Sequence, residues 1–575
     1  VYEVRRIATQ FPIMSSQFRC VTLSDFNLDN FNSRLANDGA NPPVEVIGTD
    51  YGQVRQHLLN SEADCWAKDP DCAIVWTRPE AAVPTFGRLR DFEPVGLGDI
   101  LEEVDEFARQ LAALEDRVDT VLIPSWTTPP EERGLGLLDM QNGVGIANTL
   151  MRMNLRLSEA LADRTGFFVL NANPWIQRAG ESAYNPKLWA MAKVPFASKV
   201  FGAAVGDVKG ALRAVRGGTK KLIVLDLDDT LWGGVVGEDG WENLKLGGHD
   251  PVGEAFADFQ RALKAMTNRG ILLGIVSKNT EEVALEAFEK HPEMVLSLDD
   301  FAGWRVNWDD KAKNVAALVE ELNLGLQSAV FIDNSSFERG RVREALPEVF
   351  VPEWPDDPFR YRQKLLSLRC FDTSTLTEED RERASMYVAQ RKRSSVKSEV
   401  DSLDEWLDTL EMTVEVEPFN DANRARIVQL LNKTNQMNLR TRRMSEAEFV
   451  GWLDDDERCL RAFRVSDRFG TSGLTGIFSI EKNGEDAHFK DFILSCRAMG
   501  RNVEDAMLAV ATEEARRLGA DELVAEYLPT EKNAPCLEFF ERSGFENGQS
   551  EHVFCWALAD AYPVPSHIEL TQHGR

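Results

Sequence analysis

Apolar and polar positions alternate along the first 175 residues in a pattern that predicts parallel α/β structure. Five short apolar runs are predicted strands: CVTLSDF, VEVIGTD, CAIVWT, TVLIPSW and FFVLNAN. Between them, residues 99–116 and 144–164 carry apolar positions at helical spacing. Strands that alternate with helices are typical of a parallel sheet covered by helices. We therefore expect an α/β domain over residues 1–195.

A second alternation of strands and helices begins at Lys221. The runs KLIVLDLD, ILLGIVS, MVLSL and AVFID are predicted strands. Residues 252–269, 281–290, 311–322 and 337–345 have helical patterns, and Gly270 is a stop signal for the first of these helices. This order predicts a doubly wound parallel sheet, with a domain over residues 196–375.

The last third of the chain has a different pattern. Residues 376–411 are highly charged and helical in spacing, which predicts a connector. From Met412 strands and helices are mixed, so residues 412–575 are predicted to be an α+β domain. The tail after Leu558, including YPVPSHIELTQHGR, has few apolar positions and is expected to pack poorly. The whole chain is thus predicted to be a multidomain α/β protein.

The charge and composition of the chain argue against some classes of binding partner and of cellular location. The 575 residues carry a formal net charge of −29, which argues against general nucleic-acid binding because that needs a basic surface. Short basic clusters such as Arg391-Lys392-Arg393 are expected to be solvated helix faces. No run approaches the roughly 18 consecutive apolar residues of a membrane span. Eight cysteines without a C-x-x-C pair, and no signal pattern at the start, indicate a cytoplasmic protein with reduced thiols.

The most informative segment is LDLDDTLWGG, residues 225–234. It delivers Asp226, Asp228 and Thr230 at the carboxyl end of an apolar strand, where open α/β sheets bind ligands. Two nearby carboxylates suit Mg²⁺, which prefers hard oxygen ligands. One carboxylate can attack phosphorus, and the other can act as acid and base. Alone, this spacing is also compatible with a solvated turn.

Three later elements add groups that suit a phosphate. Ser277-Lys278-Asn279 ends the strand ILLGIVS, next to a helix start, where a hydroxyl can hold a phosphate oxygen. Lys311 begins a predicted helix and can neutralise phosphoryl charge, although Lys313 competes for that role. Asp333 ends the strand AVFID and offers a further oxygen ligand for Mg²⁺.

In this order the elements resemble the haloacid dehalogenase superfamily, whose motifs read D-x-D-x-T, S/T, K, and D-D or D-N. The resemblance implies that Asp226 is the nucleophile and Asp228 the acid and base. It further implies a phosphate site and an Mg²⁺ site. The phosphate site comprises Thr230, Ser277, Lys278, Asn279 and Lys311, and the Mg²⁺ site comprises Asp226, Asp228 through its backbone carbonyl, and Asp333.

The spacing between these elements bears on access to the site. Thr230 and Ser277 are about 45 residues apart, and Ser277 and Lys311 about 30, so neither gap holds a large cap domain. We expect an open site, or one that a neighbouring domain covers.

Longer motifs narrow the resemblance to FkbH-like proteins over roughly residues 180–560. They include KKLIVLDLDDTLWGGVVGEDG, VNWDDKAKNVAAL, VFIDNSSFERGRVREALPEV, LNKTNQMNLRTRR and PTEKNAPCLEFFERSGF. In that family a phosphatase domain is fused to an acetyltransferase-like domain. The resemblance implies that a phosphorylated acyl donor of the glycerate type is dephosphorylated. It also implies that the glyceryl group is loaded on the phosphopantetheine of an acyl carrier protein, for polyketide-like assembly.

Residues 412–575, the third block of the chain, contain a loop similar to that of the GNAT acetyltransferases. Arg497, Gly500 and Arg501 open a helix after a strand, where backbone N–H groups can bind the phosphate of phosphopantetheine. Asn533 is a further candidate contact for the acyl group. Cys496 precedes this helix and adjoins Arg497, a setting that lowers a thiol pKa. We expect it to carry the acyl group as a thioester; the alternative is a buried structural cysteine.

The first block looks like the SGNH-hydrolase-like domain of longer FkbH-like proteins, within the flavodoxin-like α/β class. Ser24 follows the first strand, where that fold keeps its nucleophile, but the only His before residue 249 is His57. Without a late histidine to act as base the serine is not activated. We therefore expect Ser24 to be a turn or cap residue and this domain to be non-catalytic.

Three functions remain open from the sequence. The leading one is a phosphatase and acyl transferase that acts on a carrier protein. The second is a plain small-molecule phosphatase with inert flanking domains. The third is a non-enzymatic assembly scaffold, which the intact set from Asp226 to Asp333 speaks against.

Overall fold

The computed structural model describes residues 17–572, apart from 377, 398–401, 435, 443, 445, 454, 496, 531, 549 and 551. It divides into two compact units. The first holds the residues up to Thr219 together with Leu368–Ser374, and the second holds Lys220–Ser367 and the residues from Thr375 onward. In the part of the chain so described, no helix is long and apolar enough to cross a membrane.

The boundary of the first unit differs from the predicted one at residues 195 and 196. The helix Ser198–Val215 belongs to the first unit because its apolar face lies in the same core as the first sheet. That face comprises Val200, Phe201, Ala204, Val205, Val208 and Leu212. The second unit unites the predicted second and third blocks.

The first unit contains a five-stranded parallel sheet, and all five predicted strands are confirmed. They are β1 (Phe18–Ser24), β2 (Val44–Gly48), β3 (Cys72–Trp76), β4 (Thr120–Pro124) and β5 (Phe167–Leu170). Their order is β2-β1-β3-β4-β5. The order reverses between β1 and β3, and ligands bind at such a switch point in open α/β sheets.

The helices of the first unit follow the predicted periodicity. Helix Leu97–Ala112 buries Ile100, Val104, Phe107 and Leu111, one stripe at helical spacing that faces the core. The α-helices of this unit are Asp29–Asn37, Val54–Leu59, Pro79–Ala82, Pro84–Arg90, Leu97–Ala112, Ile146–Ala160, Asn173–Ala179, Pro186–Ala192 and Ser198–Val215.

The second unit begins with a four-stranded parallel sheet in the order β8-β7-β6-β9. Its strands are β6 (Leu222–Leu225), β7 (Leu272–Ser277), β8 (Phe301–Val306) and β9 (Ala329–Ile332). All four residues of β6 are fully buried, which an all-apolar central parallel strand requires. The switch point lies between β6 and β9.

One predicted strand in this sheet is wrong. The run MVLSL, residues 294–298, is irregular, and Phe301–Val306 forms the strand instead. The N–H groups of Val295 and Leu296 both donate to the side-chain carbonyl of Gln260. Because a side chain satisfies these buried backbone groups, the apolar run needs no partner strand.

Helices cover both faces of this sheet, as predicted. Asp250 caps the helix Pro251–Thr267 by accepting the N–H of Val252, and Gly270, with φ of 78°, follows its end. The α-helices of this region are Val236–Asp239, Pro251–Thr267, Glu281–Lys290, Lys311–Glu321, Ser336–Ala345 and Tyr361–Leu366.

The predicted connector forms two helices, Glu378–Lys397 and Leu403–Thr409. The basic cluster on the first of them is not a solvated face, contrary to expectation. Arg391 donates to the carbonyls of Leu298 and Phe301. Arg393 is buried and pairs with Asp467 at 2.5 Å. This helix therefore packs against both β8 and the third block, which explains why the two blocks form one unit.

The third block is a mixed sheet in the order β16-β17-β15-β14-β13-β12-β10-β18, with β11 paired to β14. The tail packs rather than frays: Ile568–Gln572 forms an edge strand parallel to β10, so the expectation of poor packing is wrong. The strands are β10 (Met412–Pro418), β11 (Met437–Asn438), β12 (Arg458–Asp467), β13 (Gly470–Asn483), β14 (Asp486–Leu494), β15 (Glu522–Glu526), β16 (Glu546–Asn547), β17 (Val553–Ala557) and β18 (Ile568–Gln572). The helices are Arg424–Lys433, Glu446–Leu453, Val503–Arg517 and Ala534–Arg542.

Candidate active site

The carboxyl ends of β6 and β9 bring two acidic residues together. Asp226 directly follows β6, and Asp333 directly follows β9, its neighbour in the sheet. The backbone N–H of Asp226 donates to the carbonyl of Ile332, so the parallel pairing extends to the point where the two side chains emerge. Both side chains are buried, with Asp333 fully inaccessible.

Lys311 lies between these two carboxylates. Its Nζ is 2.9 Å from Oδ1 of Asp226 and 2.7 Å from Oδ2 of Asp333, and its side chain is only 4% exposed. Lys313, the competing candidate, has a side chain 75% exposed and pairs with Asp309. The structure therefore places Lys311, and not Lys313, in the site.

A helix cap fixes the position of Lys311. It is the first residue of the helix Lys311–Glu321, and the side chain of Asp310 accepts the N–H groups of Ala312 and Lys313 at 2.9 and 3.2 Å. Such a cap satisfies donors that the first turn leaves unpaired. Arg341 in turn donates to the other oxygen of Asp310, at 2.9 Å. The cap holds the start of the helix, and with it Lys311, against the strand ends.

Three donors hold the carboxylate of Asp228. Its Oδ1 accepts the indole N–H of Trp232 at 2.9 Å and the backbone N–H of Val236 at 3.1 Å. Its Oδ2 accepts the amide of Asn279 at 2.9 Å. Burial raises the pKa of Asp228 above its usual value, against the lowering by these hydrogen bonds. A carboxyl group in a fixed orientation with a raised pKa suits an acid and base.

Thr230 and Ser277 lie buried at the same edge. Oγ1 of Thr230 accepts the N–H of Asn334 at 3.2 Å, which links the β6 loop to the β9 loop. Asn279 donates to Oγ of Ser277 at 3.4 Å, so it touches both Ser277 and Asp228. Lys278 pairs with Glu338 at 2.7 Å and is about one-third exposed.

The charges of the site favour a further cation. Asp226 and Asp333 share one lysine, and burial together with the nearby Asp226 raises the pKa of Asp333 to about 6. Two oxygen donors with one excess negative charge fit a hard divalent ion. Within the described residues, no three His, Cys, Asp or Glu side chains converge as a metal site. The Asp228 carboxylate is engaged by Trp232, Val236 and Asn279. A cation here would take two carboxylates, with backbone carbonyl and water completing the set.

Three residues that support the site were not predicted from the sequence. Trp232 orients Asp228, and Arg339, which is buried, donates to the carbonyls of Asp333 and Asn334 at 2.7 Å each. Tyr361 donates to the carbonyl of Asp229, a residue with φ of 52° in the loop after β6. Only Trp232 had a local signal, since it lies four residues after Asp228. Arg339 and Tyr361 reach the loop through the fold.

The third-block candidates do not form an open site. Cys496 lies outside the described residues. The N–H of Gly500 donates to Glu504 at 3.1 Å. Arg501 is buried, and its guanidinium contacts Asp467, Ser472 and the carbonyl of Arg497. Both groups are therefore engaged within the protein, and Arg497 itself lies beside the sulfur of Met386.

Asn533 is likewise an internal group. Its amide donates to the carbonyls of Asn438 and Leu528, and its carbonyl accepts the hydroxyl of Tyr527 and the N–H of Thr530. This network holds β11 against the end of β14, beyond the point where β14 and β15 stop pairing. A short segment of the chain thus fills the space between those two strands.

Ser24 and His57 are engaged separately in the first unit. Oγ of Ser24 accepts the N–H of Phe26 at 3.1 Å, the geometry of a serine turn. Nδ1 of His57 lies 3.8 Å from the sulfur of Cys65. The structure does not bring the two together as nucleophile and base.

Comparison with known proteins places the fold of most of the chain. No protein-family model and no curated protein matches it. Among solved structures, the chain is similar to the N-terminal part of BF1531 from Bacteroides fragilis, which contains a phosphatase domain and is complexed with Mg. That likeness has 28% sequence identity and a TM-score of 0.57, and covers 65% of this chain and 99% of the other.

The GNAT domain of S. lividans PAT also matches, with 18% identity over 24% of this chain and 86% of that one. Its TM-score of 0.20 is too low to bear on the third block. The first likeness and the site geometry agree: the second unit has the fold and the residue set of a phosphatase-type domain, and the chain is an enzyme of that type.

Proposed function

We propose that the chain is an Mg²⁺-dependent phosphatase that transfers an acyl group, of the glyceryl type, to an acyl carrier protein. The phosphatase part is carried by one observation: Lys311 bridges Asp226 and Asp333, while Asn279 and Trp232 fix the orientation of Asp228. The fused transferase role is supported by the FkbH-like motifs of the third block. We also propose that the protein is cytoplasmic, because an acyl donor of this class and a carrier protein would be met there.

The chemistry follows from the positions of the two aspartates. A carboxylate oxygen of Asp226 attacks phosphorus, and the bond from phosphorus to the leaving oxygen breaks. Asp228 gives its proton to that oxygen. In the second half, Asp228 takes a proton from water, the water oxygen attacks the aspartyl phosphate, and Asp226 is released with inorganic phosphate. Lys311, Thr230 and Ser277 bind the phosphoryl oxygens.

Mg²⁺ fits this site because of the excess negative charge on Asp226 and Asp333. When bound, it supplies charge stabilisation for the phosphoryl group. The neighbouring structure from Bacteroides fragilis is a complex with Mg, which supports the same ion here.

For the transferase step we propose the following exchange. The thiolate of Cys496 attacks the carbonyl carbon of an acyl phosphate, and phosphate leaves. The phosphopantetheine thiol of the carrier then attacks this thioester and frees Cys496. The remaining phosphate ester is hydrolysed at Asp226. Arg497 is the group nearest in sequence that can stabilise the thiolate.

A second candidate, a small-molecule phosphatase without acyl transfer, is favoured by a specific observation. Gly500 and Arg501 are engaged by Glu504 and Asp467, so the loop does not offer these groups to a phosphopantetheine phosphate. Under this alternative the third block only supports the phosphatase sheet.

A loading assay by mass spectrometry separates the two candidates. The purified protein is mixed with Mg²⁺, 1,3-bisphosphoglycerate and a phosphopantetheinylated carrier protein, with Asp226→Asn and Cys496→Ala in parallel. We expect a glyceryl mass gain on the carrier that Cys496→Ala abolishes, and phosphate ester hydrolysis that Asp226→Asn abolishes. Hydrolysis that depends on Asp226, without loading of the carrier, would establish the plain phosphatase. Full loading by Cys496→Ala would remove that residue from the mechanism.

A further inference from the structure

The first unit contains a cavity that the phosphatase chemistry does not use. It has a volume of about 210 Å³ and lies outside the carboxyl ends of β3 and β4. Its walls come from the loops after those strands and from the segment that surrounds the helix Pro186–Ala192. In open α/β sheets this edge is where ligands bind.

An unbroken series of alternating charges begins at the switch point of this sheet and continues along one wall. Asp25, just after β1, pairs with Arg78 at 2.7 Å, and Arg78 pairs with Glu80 at 2.9 Å. Arg90 bridges Glu80 at 2.9 Å and Glu132 at 2.5 Å. Each arginine is already neutralised on both sides. The series carries three carboxylates and two guanidinium groups.

This wall disfavours a charged ligand. Its one excess negative charge lies at the outer end, where the side chain of Glu132 is 41% exposed and water screens it, unlike the buried pair Asp226 and Asp333. An anion would have to compete with carboxylates for both guanidinium groups, and a cation would have to displace an arginine from a partly buried pair, which is costly. A hydroxyl group, in contrast, both donates and accepts. It can add to neighbouring members of an alternating series without separating them.

The floor of the cavity presents further hydroxyl groups. Oγ of Ser125 accepts the N–H of Ala172 at 3.0 Å, and Oγ1 of Thr77 accepts the indole N–H of Trp126 at 3.0 Å. Each hydroxyl keeps a proton to donate, so each suits a ligand oxygen. Thr127 shares a hydrogen bond with the hydroxyl of Tyr184 at 2.6 Å.

The opposite wall is apolar and rigid. Trp76 and Phe196 stack with ring centroids 5.2 Å apart, and Tyr184 lies 5.0 Å from Phe196. Arg78 lies over the ring of Trp189 at 4.1 Å, which ties the charged wall to the aromatic one. Apolar walls with a few placed polar groups are typical of small-molecule sites.

We infer that this cavity binds an uncharged polyhydroxy compound, a monosaccharide or a sugar alcohol. Such a ligand places its C–H groups on the aromatic wall and its hydroxyl groups on the charged wall and the hydroxyl floor. The size agrees: about 210 Å³ lies below the roughly 300–1,000 Å³ of pockets for drug-sized ligands, which suits a smaller ligand. This site is independent of the proposed phosphatase.

The test is ligand-observed saturation-transfer NMR on the full chain. The uncharged probes are glucose, galactose, mannose and sorbitol, and the charged counterparts are glucuronate and glucosamine. We expect saturable binding of at least one uncharged probe and weaker binding of the charged ones.

Two variants locate the binding. Thr127→Phe places a ring in the cavity and is expected to abolish the signal. Glu132→Ala removes the outermost carboxylate, which is 41% exposed, and is expected to weaken binding about fivefold, the loss of one hydrogen bond. The matched control is Glu115→Ala, an exposed glutamate of the same unit that pairs with Arg164 outside the cavity and is expected to leave binding unchanged.

Near-ultraviolet circular dichroism and the thermal midpoint check that each variant is folded. Binding to none of the probes, binding of only the charged probes, or equal binding of the uncharged probes by a folded Thr127→Phe would each overturn the inference.

Discussion

The two parallel sheets carry buried carboxylates at the same structural position, but they compensate the charge differently. After β1, Asp25 faces Arg78, which donates to it from both the side chain and the backbone at 2.7 and 2.8 Å. After β6 and β9, Asp226 and Asp333 face a single lysine. The first sheet therefore pairs its acid with an arginine that donates once from its guanidinium and once from its backbone, whereas the second leaves a negative charge uncompensated.

This difference agrees with a structural role for Asp25 and with the catalytic role proposed for Asp226. A carboxylate held by an arginine has its oxygens engaged and is a poor nucleophile. Two carboxylates that share one lysine repel each other and attract a cation or a phosphoryl group, at a cost in stability. Under the two proposals, the same strand-end geometry serves binding in one unit and chemistry in the other.

The largest effect should come from removing the shared cation. Lys311→Met should lower phosphate release about 10³-fold, because the phosphoryl charge loses its stabilising group and two buried carboxylates lose their partner. Initial rates of phosphate release with saturating Mg²⁺ measure this. The matched control, Lys313→Met, changes an exposed lysine two residues away and should keep full activity. Equal loss in both variants would contradict the assignment.

The excess negative charge on Asp226 and Asp333 should also make the stability of the folded protein depend on pH. The pKa of Asp333 rises from 3.8 to about 6, so its contribution to stability is present below pH 4 and is lost as pH rises through about 6. This rise corresponds to about 3 kcal/mol at most. Without metal, the thermal midpoint of the second unit should fall between about pH 4 and about pH 6, the unfolded and folded pKa values of Asp333.

Asp333→Asn removes the titrating group and should abolish that fall. Scanning calorimetry in the presence of a chelator gives the measurement. A midpoint with the same pH dependence in both proteins would show that the excess charge is compensated in some other way.

Loss of the orientation of Asp228 should lower phosphatase activity less than loss of the charge of Lys311. Asn279→Ala frees one oxygen of Asp228 and should lower kcat about 10- to 100-fold, since a misplaced catalytic group costs up to about two orders of magnitude. Asn268→Ala, an exposed asparagine at a helix end, is the control. Rescue by Asn279→Gln would indicate a positioning role, and an unchanged kcat in Asn279→Ala would exclude one.

The smallest effect is expected in the first sheet. Asp25→Ala leaves Nε and the backbone N–H of Arg78 without an acceptor, although the guanidinium keeps Glu80, and should lower the stability of the first unit by about 1–2 kcal/mol. Phosphate release should stay unchanged. Chemical denaturation followed by tryptophan fluorescence measures the first effect, and loss of phosphatase activity in a folded Asp25→Ala would break the contrast between the two sheets.

The sequence alone predicted most of the α/β architecture. The five strands of the first sheet and three of the four in the second are confirmed, because short, mainly apolar runs bounded by turns leave few alternatives. The run MVLSL failed because Gln260, more than 30 residues away, satisfies its backbone donors. The edge strand Ile568–Gln572 was missed because its pairing with β10 spans over 150 residues.

The sequence by itself determined which residue types belong to the site. Each of them follows a strand or begins a helix, and the local pattern of apolar and polar residues reveals such positions. They are Asp226, Asp228, Thr230, Ser277, Lys311 and Asp333. Only the tertiary structure shows that Lys311, and not Lys313, contacts the two carboxylates. It also shows that Asp228 accepts a hydrogen bond from Asn279. Arg501 and Asn533 are hydrogen-bonded within the protein. The tertiary structure also forms the cavity of the first unit, which no motif marks. Burial and pairing depend on groups far apart in the chain, so spacing within a segment carries no information about them.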